Sequence, residues 1–255
     1  MWKLLSIRFA LNMLSQDQLR RYSRNILLPS IGEAGQQKLL SSRVLVVGAG
    51  GLGSATISYL AAAGVGHIGI ADGDRVELSN LQRQILFEQG DISRLKVEAA
   101  RDRVEELNPD VKITTYAYDL NAANIAEIIS NYDIVADGCD NFETRFIVAD
   151  ACAAQQKTLV SAAVKGFEGQ LSTFKPYLGE PHPSYRCFVP EIPPEANNCT
   201  ETGVIGAVCG ILGSMQAVEI IKELLGLEEG LSGVLLRYDA LAQKCTKSIL
   251  TRCFI

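Results

Sequence analysis

Between residues 48 and 141 the chain sets out side chains of the kinds that phosphate chemistry uses. Arg83 and Lys96 are cations, with Arg24 further upstream, and Asp72 and Asp140 are carboxylates just beyond short apolar runs. Ahead of them stands Val44-Leu45-Val46-Val47-Gly48-Ala49-Gly50-Gly51-Leu52-Gly53-Ser54, β-branched residues that stop abruptly in glycines. Cations grouped about a glycine turn suit a triphosphate and its departing pyrophosphate better than the single bridge of a dinucleotide. Asp140 is of the type that holds a magnesium ion between phosphate oxygens. Phosphoryl and nucleotidyl transfers leave a protein little covalent work, so placed charges and a metal are most of the machinery.

The elements that must position these groups read as a nucleotide-binding α/β unit. The glycines give a turn of unusual φ, a backbone that a phosphate can approach, and close helix-on-strand packing. A helix follows at once over residues 55–63, and its exposed N–H groups and positive dipole end make an anion site. Asp72 closes the next apolar run, His67 to Ala71, about 20 residues on, where such units set a carboxylate on a ribose hydroxyl. A long polar loop, Gly73 to Gln84, then occupies the carboxyl end of a strand, where α/β folds keep ligands. Lys96 falls in the first turn of a helix over residues 94–107, a position that opposes the dipole and predicts an anion holding it. A buried strand ends in Asp137-Gly138-Cys139-Asp140-Asn141, too polar a run for packing alone.

Elsewhere the spacing predicts helices near residues 15–24, 29–40, 122–130, 142–156 and up to Leu225, and strands at 111–116 and 158–164. From Gly166 the pattern turns hairpin-like, which predicts antiparallel strands on the sheet edge, with two more strands at 234–238 and 245–250. The fold class is therefore α/β, a Rossmann-like doubly wound sheet, mainly parallel with antiparallel edge strands. Residues 15–255 are expected to form one domain, with residues 1–14 a poorly ordered appendage and Met13 an alternative start. Residues 176–200 form an inserted loop, whose six prolines between Pro176 and Asn198 mark it as functional.

With 255 residues and 47% hydrophobic content the chain can bury a large core. A net charge of −5 and a pI near 5.2 leave no basic face for nucleic acid or an anionic membrane. Its seven cysteines include no C-x-x-C, so no disulfide framework is expected and a reducing, cytoplasmic setting fits. No apolar run reaches the roughly 18 residues that span a bilayer. The chain lacks G-x-x-x-x-G-K-[ST], which disfavours a P-loop kinase or ATPase. His67 and His182 are its two histidines, one in a strand and one in the proline-rich loop, so a hydride-transfer acid is missing. A NAD-binding Rossmann oxidoreductase remains the alternative that Arg83 and Lys96 speak against, and a non-catalytic scaffold is a further one.

Taken together, Arg21-Tyr22-Ser23-Arg24, the glycine run, Asp72-Gly73-Asp74, Ser79-Asn80-Leu81-Gln82-Arg83-Gln84, Lys96, Asp137-Gly138-Cys139-Asp140-Asn141 and Tyr185-Arg186-Cys187 resemble the MoeB/ThiF/HesA adenylyltransferases, bacterial relatives of ubiquitin-activating enzymes. The resemblance runs from about Leu14 to Leu250. It implies that ATP with Mg2+ is used to activate the Gly-Gly carboxylate of a small ubiquitin-like sulfur carrier as an acyl-adenylate. Thiamine and molybdopterin sulfur transfer are the pathways it suggests, and a family member adenylating a different carboxylate is the alternative. By match, Asp72 holds the ribose, Asn80, Arg83 and Lys96 the phosphates, and Asp140 the magnesium. The implied nucleotide site also includes Gly48, Gly50, Gly51, Gly53, Asp74, Ser79, Leu81, Gln82, Gln84 and Asn141. Arg24 is implied to reach the nucleotide of a neighbouring subunit, which makes a homodimer, and the sulfur comes from a separate donor protein.

Cys199 falls where family members carry a cysteine able to form an acyl-persulfide or thioester, and an inert loop cysteine is the alternative reading. Family members hold a structural zinc with two C-x-x-C pairs. Here Ser184 stands at one of those positions, and the chain ends Thr251-Arg252-Cys253-Phe254-Ile255 with one cysteine. Two thiolates fall short of the four that a closed zinc site uses, so no structural zinc is expected. Either packing alone holds the proline-rich loop, or the C-terminus is truncated.

Overall fold

A computed structural model describes residues 14–192 and 203–253. The appendage expected at the N-terminus lies outside them except for Leu14, which is buried. Cys199 also lies outside them.

Eight strands form one sheet: β1 (Arg43–Val47), β2 (His67–Ala71), β3 (Lys112–Tyr116), β4 (Ile134–Asp137), β5 (Thr158–Lys165), β6 (Glu168–Phe174), β7 (Val234–Asp239) and β8 (Lys244–Ile249). Their order is β3-β2-β1-β4-β5-β6-β7-β8. The first five are parallel in register pairs such as Val46 with Ile70 and Val46 with Ala136, and β6 to β8 add on antiparallel. The order reverses between β1 and β4, and a crevice beyond the carboxyl ends of the strands at such a point is where open α/β sheets bind ligands.

Alternation along β1 explains the two cores. Val44 and Val46 face one layer with Ile57, Leu60, Ile68 and Leu212, while Leu45 and Val47 face the other with Ile129, Val135, Val148 and Leu159. The first layer carries α4 (Gly51–Ala63), α5 (Lys96–Leu107) and α9 (Gly206–Leu225), and the second carries α6 (Ile125–Ser130) and α7 (Phe142–Ala154). A sheet covered on both faces needs nearly continuous apolar strands, and β2 and β4 are buried throughout.

Upstream, the helix expected over 15–24 is split into α1 (Gln16–Arg21) and α2 (Ser23–Ile26), with α3 (Gly32–Ser41) after them. The break falls at Tyr22, which is 1% exposed and gives its hydroxyl proton to Asp110 at 3.0 Å. Its ring lies against Gly64, the left-handed cap of α4, where a Cβ would come within 2.6 Å of ring carbon.

Two further expectations needed correction. The proline-rich segment contains a 3-10 turn at Pro176–Leu178 and a short helix, α8 (Tyr185–Phe188). Tyr185 in that helix wedges edge-on between Phe146 and Phe174, with ring centroids 5.6 and 5.4 Å away. Packing is not its whole anchor, because Cys187 is joined to Cys253 by a disulfide with Cα atoms 5.2 Å apart. Cysteines 66 positions apart share no local motif, so spacing gave no sign of the pair. Cys139, Cys152, Cys209 and Cys245 are free. Among the described residues no group of three or more His, Cys, Asp or Glu gathers as a metal centre, and no helix is long and apolar enough to cross a membrane.

Candidate active site

The turn after β1 is built of backbone. Gly48 has φ +90°, which favours glycine, and a Cβ there would sit 3.2 Å from the carbonyl oxygen of Gly138 in the turn after β4. A Cβ on Gly53 would lie 2.0 Å from the carbonyl oxygen of Gly48, so turn and helix close on each other without side chains. The helix begins at Gly51, earlier than expected, and Gly50 occupies its N-cap without a side-chain cap. The leading N–H groups of α4 have no intrahelical acceptor, and they carry the positive end of its dipole.

A second helix end meets the first. Gly206, the first residue of α9, is so near the polar loop that a Cβ would fall 2.4 Å from the carbonyl oxygen of Gln82. Three residues on, Cys209 places its Sγ 2.9 Å from where a Gly51 Cβ would be, and Arg83 Cγ stands 3.4 Å from the same point. Burial pushes the Cys209 thiol above its ordinary pKa, and Arg83 pulls the other way. The α9 end was not singled out from sequence, because its glycine spacing resembles ordinary helix packing.

The two sides of the polar loop are tied together by Asp72. One carboxylate oxygen accepts the Ala49 N–H at 2.8 Å and the other accepts the Asp74 N–H at 2.9 Å, so the residue links the glycine turn to the loop. Lys96 is the first residue of α5 and is 5% exposed. Its ammonium donates to Asp74 at 2.7 Å and lies 4.0 Å from Asp72. The anion expected to hold it is thus a carboxylate pair of the chain itself. Burial raises the Asp72 carboxyl above the usual range, with Lys96 and the Asp74 and Ala49 amides opposing.

In the run 79–84, Asn80 is buried and its amide oxygen accepts the Glu77 N–H at 3.1 Å, while Ser79 donates to Glu77 at 3.2 Å. Arg83 donates to the Ser79 carbonyl at 3.1 Å, Gln82 is exposed and Leu81 packs against the first core layer. Gln84 is 3% exposed, its Nε2 lies 3.7 Å from a Gly50 Cβ position, and its Oε1 is a buried acceptor with no hydrogen-bond partner among the described residues. An orphaned acceptor costs about 1–3 kcal/mol, a deficit that a hydroxyl or amine of a bound ligand relieves. That acceptor, the glycine cradle and the adjacent cation fit a nucleotide.

Across the crevice, the turn after β4 is built of side chains. Asp140 is exposed, and among the described residues no hydrogen bond or ion pair engages it. One free carboxylate beside a phosphate cradle is the donor set that Mg2+ uses, since it keeps its remaining positions for phosphate and water. Asn141 is otherwise occupied: its side chain accepts the Thr144 N–H at 2.8 Å and caps α7. Asp137 is buried and paired with Arg145 at 2.8 Å, so it belongs to the framework. Arg145 went unnoticed in the sequence, although a charge between Phe142 and Phe146 on an apolar helix was a usable sign.

Arg24 lies elsewhere. It follows Tyr22 at the Gly64 end of α4, and Asn25 donates to the Ala63 carbonyl at 3.4 Å. The 13 residues of α4 put about 20 Å between that end and the chain's own glycine turn.

Against known proteins, a family model described as ThiF family matches residues 22–252. The chain is 43% identical over 242 residues to the sulfur carrier protein adenylyltransferase of Thermus thermophilus, covering 93% of this chain and 89% of that protein. It is 46% identical over 233 residues to the adenylyltransferase and sulfurtransferase MOCS3-1 of Zea mays, covering 91% of this chain and 49% of the relative. The chain thus spans about half the length of several curated relatives it matches. In fold it is similar to the microcin C7 biosynthetic enzyme MccB in complex with N-formylated MccA, with a TM-score of 0.80 and 20% identity over 92% of this chain and 73% of that one. Since the match to the family model runs from the helix break at Tyr22 almost to the last residue, this chain belongs to the ThiF family.

Proposed function

We propose that this chain is an ATP-dependent adenylyltransferase that activates the C-terminal Gly-Gly carboxylate of a ubiquitin-like sulfur-carrier protein. The carboxylate attacks the α-phosphate, an acyl-adenylate forms, and pyrophosphate leaves. What supports this reading is Arg83 set against the glycine turn, the Asp72 bond to Ala49 that brings Lys96 to it, and the backbone of Gly138 and Cys139, just before Asp140, packed on Gly48. The helix ends of α4 and α9 and the Arg83 guanidinium stabilise phosphate charge where water is displaced. Asp72 accepts from the ribose hydroxyls, with Asn80 and Gln84 lining the same crevice. Lys96 leaves its carboxylate partners for a phosphate oxygen as the leaving group gains charge. Asp140 would hold a magnesium ion, which would supply positive charge to the phosphates.

The same reading includes a homodimer in which Arg24 of the partner subunit completes the site, and it is supported by the roughly 20 Å between Arg24's end of α4 and the glycine turn of its own chain. Adenylation needs no thiol, and a sulfur-donor protein acts after it. The cytoplasm, where ATP and small carriers meet, is the expected setting. Incubation with ATP, Mg2+ and a small protein ending in Gly-Gly tests the reading by mass: the carrier gains one AMP, and a carrier lacking its last glycine gains none. AMP on an unrelated peptide carboxylate alone sinks the carrier assignment. For the dimer, mixing Arg24→Ala with Lys96→Ala protein restores part of the activity that each lacks; no recovery in exchanged dimers argues against the shared site.

A further inference from the structure

Arg145 is the one guanidinium in the described structure placed wholly behind the candidate site, 7% exposed and four residues into α7. One end of its fork donates to the Asp137 carboxylate at 2.8 Å and to the Ser161 hydroxyl at 3.1 Å. The other end donates to the carbonyls of Cys139 and, at 2.8 Å, Ala162. Asp137 also accepts the Ser161 hydroxyl at 2.6 Å and the Cys139 N–H at 3.1 Å. From the opposite side, Gln216 on α9 donates to the Asp137 carbonyl at 2.9 Å. The Cys139 carbonyl belongs to the peptide bond that leads into Asp140, so Arg145 holds the backbone on which the exposed carboxylate is mounted.

A buried ion pair is weak evidence for stability, because apolar residues of similar volume commonly serve as well. What an apolar pair cannot do is fix two carbonyls, a carboxylate and a hydroxyl in one plane. A lysine cannot do so either, since its ammonium is a point charge on a flexible stem. Burial disfavours the Arg145 charge, and Asp137 more than offsets this and holds its pKa above the ordinary value. The fork therefore stays protonated whenever the turn is formed.

From this network we infer that Arg145 is a positioning residue for Asp140: it sets the 138–140 turn so that the carboxylate stands ready for the metal that accompanies the nucleotide. The inference rests on the proposed role of Asp140. Outer-shell partners of metal ligands typically contribute 10- to 100-fold in metal affinity. Binding of Mn2+ to full-length protein with a non-hydrolysable ATP analogue, followed by the paramagnetic signal of free Mn2+, is the readout. Arg145→Lys, checked for a native melting transition, is expected to bind Mn2+ at least about 10-fold more weakly. Its affinity for the analogue without metal should change by less than about 2-fold, and amides 138–140 should exchange hydrogen faster. If Arg145→Lys does not fold, Ser161→Ala removes one tie of the same network and is expected to shift Mn2+ binding in the same direction by a smaller factor. Folded Arg145→Lys, or Ser161→Ala in its place, binding Mn2+ as the unmodified protein does overturns the inference. Asp140→Asn separates the two ideas. If it too leaves Mn2+ binding unchanged, the metal role of Asp140 fails first; if it abolishes binding while Arg145→Lys does not, the positioning role alone fails.

Discussion

The turn after β1 offers its backbone to the crevice, and the turn after β4 offers a side chain. In the first, glycines are required because other backbone atoms occupy the space a Cβ would need, down to 2.0 Å at Gly53. In the second, the free Asp140 carboxylate stands on a loop whose shape depends on buried charge and hydroxyl contacts from Arg145 and Ser161. The tightest closure of the backbone cradle, Gly53 on Gly48, lies within five positions of sequence. A presented carboxylate needs support from residues up to 79 positions away, as the Gln216 to Asp137 bond illustrates.

If that contrast is right, the two turns fail differently. The largest effect is expected from Gly53→Ala. Its new methyl meets a carbonyl that cannot move without opening the β1 turn, so urea unfolding should register a loss of about 3 kcal/mol or more. Asp140→Ala should be the opposite case. Pyrophosphate exchange into ATP should fall on the order of 100- to 1000-fold, while the unfolding free energy moves by no more than about 0.5 kcal/mol, because the side chain is exposed and unpaired among the described residues. Equal losses of stability in both variants erase the distinction.

Gly51 sharpens it further. A Cβ there stands 2.9 Å from Cys209 Sγ, the end of a side chain and not backbone. Gly51→Ala should therefore cost about 1–3 kcal/mol, and pairing it with Cys209→Ala should return a measurable part, of order 1 kcal/mol, in a double-mutant cycle. Strict additivity places the conflict elsewhere.

The smallest expected effect is on pH dependence, at the link between the β1 turn and the polar loop. Burial raises the Asp72 carboxyl, so the folded protein binds that proton more tightly than the unfolded chain does. Its contribution to stability is full below about pH 3.9 and is lost as pH rises through the elevated folded value. Urea melts from acid to neutral pH should find the unmodified protein losing stability relative to Asp72→Asn as pH rises. A gain relative to Asp72→Asn toward neutral pH reverses the assigned cause.

How much was legible in the sequence follows the same division. The glycine turn, Asp72 and the strands around them were readable because strand, turn and helix are consecutive and their hydrophobic periods are clear. The parallel sheet and its antiparallel edge followed from those elements. Arg83 and Asp140 were identified by residue type and place, but not what holds them: the α9 end at Gly206, the Arg145 fork and the Gln216 bridge all come from distant sequence. Asn141, expected at the nucleotide from its place after the strand, also caps α7 through its side-chain oxygen, a role that only the Thr144 N–H reveals. The Tyr22 break was hidden for the same reason, as it depends on partners far along the chain, whereas the resemblance set Cys187 and Cys253 at one site without predicting the bond between them.

Exchange of labelled pyrophosphate into ATP, with and without a small Gly-Gly-terminated protein, tests the central claim most directly. The account predicts exchange that requires both the carrier and Mg2+ and that collapses in Asp140→Ala. Exchange equally fast without any carrier, or none at all with ATP bound and carrier present, contradicts it.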